Sequence, residues 1–361
     1  MKNRTIRNHH QRGMALLVVL MITAMMTMIA VNMNDYGLRA FNRASSAQFH
    51  QQSKWLLLSM ESLVQRQQLL PLPTDSVHLG QAWARTPQHL TLDGNQVNFS
   101  IRDRQACFNL NGIAQGRGVG GTTETKPEAE SPIEVDTDAK KPPMPEQGKE
   151  NNKEEKTSIA YSQQVFQHLL RTQGLDAARA QQVTFALADW IDNDDISRSG
   201  GSEAAQYLEQ RPILVPANRP LLDISEFRVL PGVDQALYLR LKPLICTLPN
   251  QNLRININTL SQAQAPLLSA LFLGEMSVEE AQQLIASRPA NGWNSVNDLK
   301  PFIEENHGAF ARAKTAITLT SDHFELLLWL DEEQHSNRLR SRLQRNRQTI
   351  SVLSRQYGFG D

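Results

Sequence analysis

HHQRGMALLVVLMITAMMTMIAV, residues 9–31, sets basic side chains and one glycine directly against an apolar run. From Met14 to Val31 only Thr23 and Thr27 interrupt a series of Leu, Val, Ile, Met and Ala. At a rise of about 1.5 Å per residue, this run reaches roughly 27 Å, close to the hydrocarbon thickness of a bilayer. Lys2, Arg4, Arg7 and Arg12 precede it, so the positive-inside rule leaves the short leader in the cytoplasm and the rest of the chain facing outward. A secretory signal would end in a small-x-small site and be lost, whereas a plain anchor would be kept whole. Gly13, placed before the apolar run, fits neither.

The chain continues without a break. Between Asn32 and Leu70 there is no proline and the only glycine is Gly37, while apolar positions such as Leu38, Phe41, Trp55, Leu58, Leu63 and Leu69 recur along the stretch. This spacing predicts that the membrane helix runs on as an amphipathic helix, within 14–70, until Pro71 stops it. Beyond it, HLTLDGNQVNFSIRDRQACFNLN (89–111) alternates around Asp93-Gly94-Asn95, which predicts a hairpin of strands at 90–92 and 97–102. Further strands are predicted at 316–320, 324–330, 336–345 and 348–356. Between these β-rich ends, short helices are expected at 160–172, 176–191, 202–209, 224–230, 235–241, 261–273, 277–287 and 296–303, with Asp176 and Ser277 as caps. The order points to an α+β chain: a small α/β domain built from 71–112 and 312–361, interrupted by an α-helical domain at 159–311. Residues 113–158, with GRGVGG and KKPPMPEQGKENNKEEK, hold almost no large apolar side chain and are expected to form a disordered loop.

Lys plus Arg and Asp plus Glu both number 37 among the 361 residues, so net charge gives no reason to expect a polyanionic partner. Loss of the basic leader would leave the remainder mildly acidic. Cys107 and Cys246 are the only cysteines; without a CxxC or Cys/His spacing they exclude a structural zinc module. In an oxidising compartment they would close one disulfide, and otherwise they would be two buried thiols. No G-x-S-x-G, HExxH, P-loop or Rossmann fingerprint occurs, and Asp189 with Asp192 lacks an accompanying nucleophile, so an enzyme is not expected.

The densest acidic cluster is DWIDNDDISRSGGSE, residues 189–203. Several carboxylates at a helix C-terminus oppose the macrodipole unless something positive binds. Carboxylates on a Gly-rich loop suit the hard oxygen-ligand sphere of calcium, although Ile196 and the lack of a Glu at the twelfth position exclude an EF-hand. A solvated acidic turn is the competing reading.

The basic leader ending in glycine, followed by an apolar and then amphipathic helix, resembles the type IV prepilin signature. That resemblance implies cleavage by prepilin peptidase between Gly13 and Met14 and methylation of Met14. Val18 stands where most pilin-like subunits carry a Glu. Inside a membrane such a carboxylate neutralises a neighbouring subunit's amino terminus, and unpaired charge there is expensive. The lack of that Glu, the RGMALL start, CFNLN, and DWIDNDDISRSGGSE followed by RPILVPANRPLLDISEF are similar to the general secretion pathway protein K family of type II secretion. Asp189, Trp190, Asp192, Asp194, Gly200 or Gly201, Glu203, Asn218, Pro220, Leu221 and Glu226 match that pattern. The resemblance implies a pilin-like fold, a long helix on an antiparallel sheet with a large α-helical insertion. It also implies structural calcium on Asp192, Asp194 and Glu203, with Asp189 and Asp223 as weaker ligands. It further implies a minor pseudopilin at the tip of the periplasmic pseudopilus, held by one helix in the inner membrane. Such a subunit would join two other minor pseudopilins, meet prepilin peptidase and the inner-membrane secretion platform, and initiate assembly for export of folded proteins across the outer membrane.

The rival expectation comes from LRININTLSQAQAPLLSALFLGEMSVEEAQQL, residues 253–284, whose paired helices are similar to helix-hairpin-helix modules that hold the DNA backbone. A membrane-anchored DNA-uptake protein is the function this would imply. Glu275 stands in the hairpin, and Arg288 and Lys300 are outnumbered by Glu275, Glu279, Glu280 and Asp298 across 256–303. Phosphate would be repelled, so no nucleic acid is expected and the segment reads as a packing scaffold.

Overall fold

The computed structural model describes residues 11–85, 88–92, 94–116, 159–193, 216–303, 308–332 and 335–358. Its helices are α1 (Gln11–Val64), α2 (Tyr161–Thr172), α3 (Ala177–Ile191), α4 (Gln235–Leu241), α5 (Ala265–Leu271), α6 (Val278–Ala286) and α7 (Gly308–Ala316). Its strands are β1 (Gln88–Leu92), β2 (Asn95–Asp103), β3 (Phe108–Asn109), β4 (Ile245–Cys246), β5 (Ile255–Asn256), β6 (Ile317–Thr318), β7 (His323–Glu332), β8 (His335–Asn346) and β9 (Thr349–Tyr357). They fall into two compact units, one of 1–72, 82–102 and 324–361, the other of 73–81 and 103–323. The helix predicted at 202–209 lies outside the described residues.

The first unit is α1 laid on a sheet of order β1-β2-β7-β8-β9. β1 and β2 pair antiparallel from Gln88↔Phe99 to Leu92↔Asn95, and Gly94 closes the turn at φ +80°, a conformation that favours glycine. Alternation selects the inner face: Val97, Phe99 and Ile101 on β2, Phe324, Leu326, Leu328 and Leu330 on β7, and Leu339 and Leu343 on β8 are buried. From α1 come Leu57, Met60 and Val64, spaced by about one turn and also buried. Two polar contacts fix the helix on this sheet: Asn337 Nδ2 donates to Ser53 Oγ at 2.6 Å, and Arg355 Nε donates to Glu61 Oε2 at 2.8 Å. Of the apolar positions that suggested the amphipathic helix, Leu38, Phe41 and Trp55 are exposed, Leu58 and Leu63 are half-buried and Leu69 is buried. The stripe that packs includes Ser53 and Glu61, and counting apolar residues alone passes over such polar positions. After α1 the chain widens into a π-helical turn, Gln65–Leu69, before Pro71.

The second unit is helical around one core, and its described part is built as two similar halves. In the first, β3 pairs parallel with β4, Phe108↔Ile245 and Asn109↔Cys246. In the second, β5 pairs parallel with β6, Ile255↔Ile317 and Asn256↔Thr318. Each half then sends out a helix pair through a positive-φ glycine, α2 and α3 around Gly174 (+93°), α5 and α6 around Gly274 (+85°). Each continues into a 3-10 turn opened by a capping box, Asp223 with Glu226 before Ile224–Val229 and Ser295 with Asp298 before Val296–Phe302. A last helix, α4 or α7, returns the chain to the second strand of the ladder.

An Asn-x-Asn sequence starts each half. Asn109 Oδ1 accepts from the amides of Asn111 (3.2 Å) and Leu248 (2.9 Å), while Asn111 bonds Leu221 through both its oxygen (2.8 Å) and its nitrogen (3.0 Å). Asn256 Oδ1 accepts from Asn258 N at 3.0 Å, and Asn258 bonds Trp293 in the same two-ended way, at 2.8 and 3.0 Å. All four asparagines are buried, so these bonds stand in for ladder partners that two-residue strands cannot supply.

Most predicted elements are present, with shifts at their ends. The predicted strand at 316–320 shrinks to Ile317–Thr318 because α7 runs through Ala316. The predicted helix at 261–273 is a 3-10 turn, Gln262–Gln264, leading into α5, and 224–230 and 296–303 are 3-10 turns rather than α-helices.

Candidate functional site

Three features of the sequence mark the candidate sites: the glycine at the head of the apolar run, the acidic end of α3, and the two cysteines. α1 passes without a break through Gly13, Met14 and Val18. From Met14 to Val31 its side chains are all exposed, including Met14, Leu16, Leu17, Val18 and Val19. Among the described residues, this is the one helix long and apolar enough to cross a membrane. No Asp or Glu occurs between Met14 and Val31, and an unpaired carboxylate there would be costly in lipid.

At the other candidate site, α3 opens with Asp176 accepting from Arg179 N at 2.9 Å. It closes with Trp190 and Ile191 buried and with Asp192 at its C-cap in an extended conformation. Asp189 sits in the last turn, fully buried at 0% exposure. A negative charge at this end of a helix opposes the helix dipole. Asp194 and Glu203 lie outside the described residues. Asp223 is the N-cap of the Ile224–Val229 turn: its Oδ1 accepts from Ser225 N at 3.0 Å, and Glu226 Oε1 accepts from the Asp223 amide, also at 3.0 Å. Its charge also helps to hold the Tyr238 hydroxyl above the usual phenol range, after burial. Among the described residues no three His, Cys, Asp or Glu side chains gather into a group that could hold a metal ion.

Cys107 and Cys246 are bonded to each other, flanking the β3–β4 ladder, with Cα atoms 5.8 Å apart and 139 residues of separation. The covalent link and the parallel pair therefore close the same loop.

One group that the sequence did not flag is Asp103. Its carboxylate is enclosed by Ser321 Oγ and Thr259 Oγ1 (both 2.5 Å), Asn256 Nδ2 (3.1 Å) and the Gln105 amide (2.7 Å). Burial pushes its pKa up and the four donors pull it back. Its partners are spread from 105 to 321, so no local motif announces it.

The hairpin glycine of the DNA-binding expectation has a neighbour inside the protein. A Cβ on Gly274 would lie 3.2 Å from Cε1 and Nδ1 of His168, so this turn packs against α2. A backbone-binding hairpin needs that face open to phosphate.

Comparison with known proteins matches the same two halves. The family model of type II secretion system protein K covers residues 106–250 with its first segment and 255–320 with its second. The chain is 34% identical to type II secretion system protein K of Klebsiella pneumoniae over 98% of both chains. It is 31% identical to that of Dickeya chrysanthemi, over 97% of this chain and 98% of the relative. Among solved structures it is similar to the GspK-GspI-GspJ complex from enterotoxigenic Escherichia coli, with a TM-score of 0.68, 30% identity, and coverage of 88% of this chain and 100% of the other. The long helix on an antiparallel sheet, the helical unit with its two Asn-x-Asn ladders and these matches together place the chain in the type II secretion system protein K family.

Proposed function

We propose that this protein is a minor pseudopilin that caps the tip of a periplasmic pseudopilus and initiates its assembly for export of folded proteins across the outer membrane. The observation that carries the reading is the exposed apolar half of α1. It can sit in lipid or against other apolar helices, yet it holds no carboxylate at Val18 to pair with a neighbour's amino terminus. A subunit with that defect stacks poorly below another and is tolerated at an end. Its partners would be two other minor pseudopilins, in the manner of the three-protein complex named for the similar structure. The membrane would be the inner one, with the folded units on the periplasmic side. Prepilin peptidase would cut after Gly13 and Met14 would be methylated, and the inner-membrane platform would raise the complex. No catalytic step is assigned to the protein.

The test is the intact mass and N-terminal residue of the protein extracted from membranes of cells with and without prepilin peptidase. A chain beginning at methylated Met14 only when the peptidase is present is expected. A chain beginning at Met1 in both would overturn the pilin-like reading and leave a simple anchored protein.

We further infer a structural calcium ion at the end of α3, held by Asp192, Asp194 and Glu203 with Asp189 beside them. Calcium would supply positive charge at the negative end of α3, and its hard oxygen-ligand sphere suits the carboxylates of this segment. Asp223 is the weakest member of the set because its carboxylate already caps a turn. At free calcium a hundredfold above the dissociation constant, binding to the folded state alone adds about 2.7 kcal/mol. Thermal unfolding should therefore fall by several degrees in EDTA and recover with calcium; unchanged melting would refute the ion.

A further inference from the structure

His323, the first residue of β7 and the last of the second unit, is 5% exposed. Its Nε2 lies 3.3 Å from Nδ2 of Asn250. The orientation of that amide is fixed by the backbone: Asn250 Oδ1 accepts from Asn252 N at 3.1 Å, which turns Nδ2, a donor only, towards the ring. His323 Nε2 therefore accepts, and the proton of the neutral ring sits on Nδ1, which has no hydrogen-bond partner among the described residues. The backbone holds the ring in this place, since His323 N donates to Gln105 Oε1 at 3.2 Å and His323 O accepts from Arg104 N at 2.9 Å. An imidazolium has two donors and no acceptor, so it would turn one N–H against the Asn250 amide and leave the other unmet. The charged groups that face the ring are Asp322, beside it in the chain, and Arg104, from the stretch between β2 and β3. Burial lowers the His323 pKa from its ordinary 6.5, Asp322 pulls it up and Arg104 adds to the lowering.

Asn250 joins this ring to the first ladder. Its backbone oxygen accepts from Asn109 Nδ2 at 2.7 Å, and Asn252 O accepts from the same nitrogen at 3.4 Å. Asn109 in turn holds the amides of Asn111 and Leu248 through its Oδ1. The corresponding asparagine of the second half, Asn256, sends its Nδ2 to Ser321 Oγ at 2.7 Å, Val77 O at 3.0 Å and Asp103 Oδ2 at 3.1 Å. Burial favours the neutral form of Asp103. The two ladders thus end on titratable groups that respond oppositely, because acid charges His323 and neutralises Asp103.

We propose that the Asn250–His323 contact is an acid-released latch on the first ladder of the helical unit. Protonation of His323 sets its Nε2 against Asn250, opens the 250–252 turn and withdraws the two carbonyls that hold Asn109 Nδ2, while the second ladder stays closed. The sign follows from linkage: the unfolded chain takes up this proton more readily than the folded one, so the contribution of the latch is complete above pH 6.5 and is lost as pH falls through the lower folded value. The latch needs no partner and is independent of the pseudopilin role.

The test uses the full chain in detergent, with hydrogen-exchange protection factors compared at about pH 7.5 and about pH 5, on either side of the ordinary histidine range. Protection at the Asn111, Leu248 and Asn252 amides should fall about tenfold in acid, the effect of one pH unit of displaced titration, while the Asn258 and Trp293 amides keep theirs. His323→Gln, whose carboxamide oxygen accepts from Asn250 at every pH, should abolish the fall. Asn250→Asp offers the imidazolium an acceptor, so the His323 ring resonance followed by NMR should titrate above 6.5 in that variant and below it in the unaltered protein. Equal loss at both ladders, a fall that persists in His323→Gln, or a His323 titration that Asn250→Asp does not raise would each overturn the latch.

Discussion

Replacing Asn111 by Ala tests whether the Asn-x-Asn pairs hold the helical unit together. Asn111 is 1% exposed and makes three bonds to backbone groups distant in sequence: it accepts from Leu221 N at 2.8 Å and donates to Leu221 O at 3.0 Å and Leu248 O at 2.8 Å. Truncation leaves an amide and two carbonyls buried without these partners. Each such group costs about 1–3 kcal/mol, so N111A should lose roughly 3 kcal/mol or more. Asn258 is 0% exposed and serves only the Trp293 amide and carbonyl, so N258A should lose about 2 kcal/mol on the same scale. Urea unfolding of the full chain in detergent gives the size of each loss. Hydrogen exchange at Leu221 and Trp293 gives its place, since each variant should free its own amide and spare the other. A loss below about 1 kcal/mol for N111A would refute the reasoning, as would equal deprotection of both amides by either variant.

Three further outcomes follow from other contacts. The Cys107–Cys246 link spans 139 residues, and closing a loop of that length removes roughly 5 kcal/mol of unfolded-state entropy; C107S/C246S should unfold at far lower urea, and a midpoint unchanged from the oxidised protein would contradict the closure account. Burial raises the Asp103 pKa above its ordinary 3.8, so the folded state holds the proton more tightly than the unfolded state and stability declines as pH rises from that ordinary value through the folded pKa. Asp103→Asn should flatten this dependence, and parallel stability curves for the two proteins between mildly acidic and neutral pH would count against it. Gly274 combines φ +85° with a Cβ position 3.2 Å from His168, so Gly274→Ala should cost about 1–2 kcal/mol; a neutral effect on melting would show that the hairpin does not pack as described.

The elements were legible where periodicity or a turn signal is local. The Asp93-Gly94-Asn95 hairpin and the capped starts of α3 and α6 follow from a few adjacent residues whose chemistry leaves one choice. The buried face of α1 was not legible, because Ser53 and Glu61 enter it through bonds to Asn337 and Arg355, residues nearly three hundred positions away. The same holds for Asp103. An isolated Asp between Arg102 and Arg104 reads as a surface charge, and only the fold brings Thr259, Ser321 and Asn256 around it. Asn109 and Asn111 stand in the CFNLN stretch, yet the work they do, bonding Leu221 and Leu248, depends on chain that returns more than a hundred residues later.

The two halves of the helical unit also give the acidic segment a context that the sequence by itself does not. In the second half the chain needs only 287–294 to pass from the end of α6 to the capping box at Ser295. In the first half the equivalent passage from α3 to the capping box at Asp223 runs from 192 to 222. The described steps of the two halves have counterparts: ladder, asparagine pair, glycine-linked helices, capped turn, closing helix. The passage in the first half begins at Asp192, beside the fully buried Asp189, and carries Asp194, the glycines and Glu203. The longer connection thus adds carboxylates to the sequence directly after a helix end that favours a cation, which is the ground for assigning the proposed calcium ion to this segment.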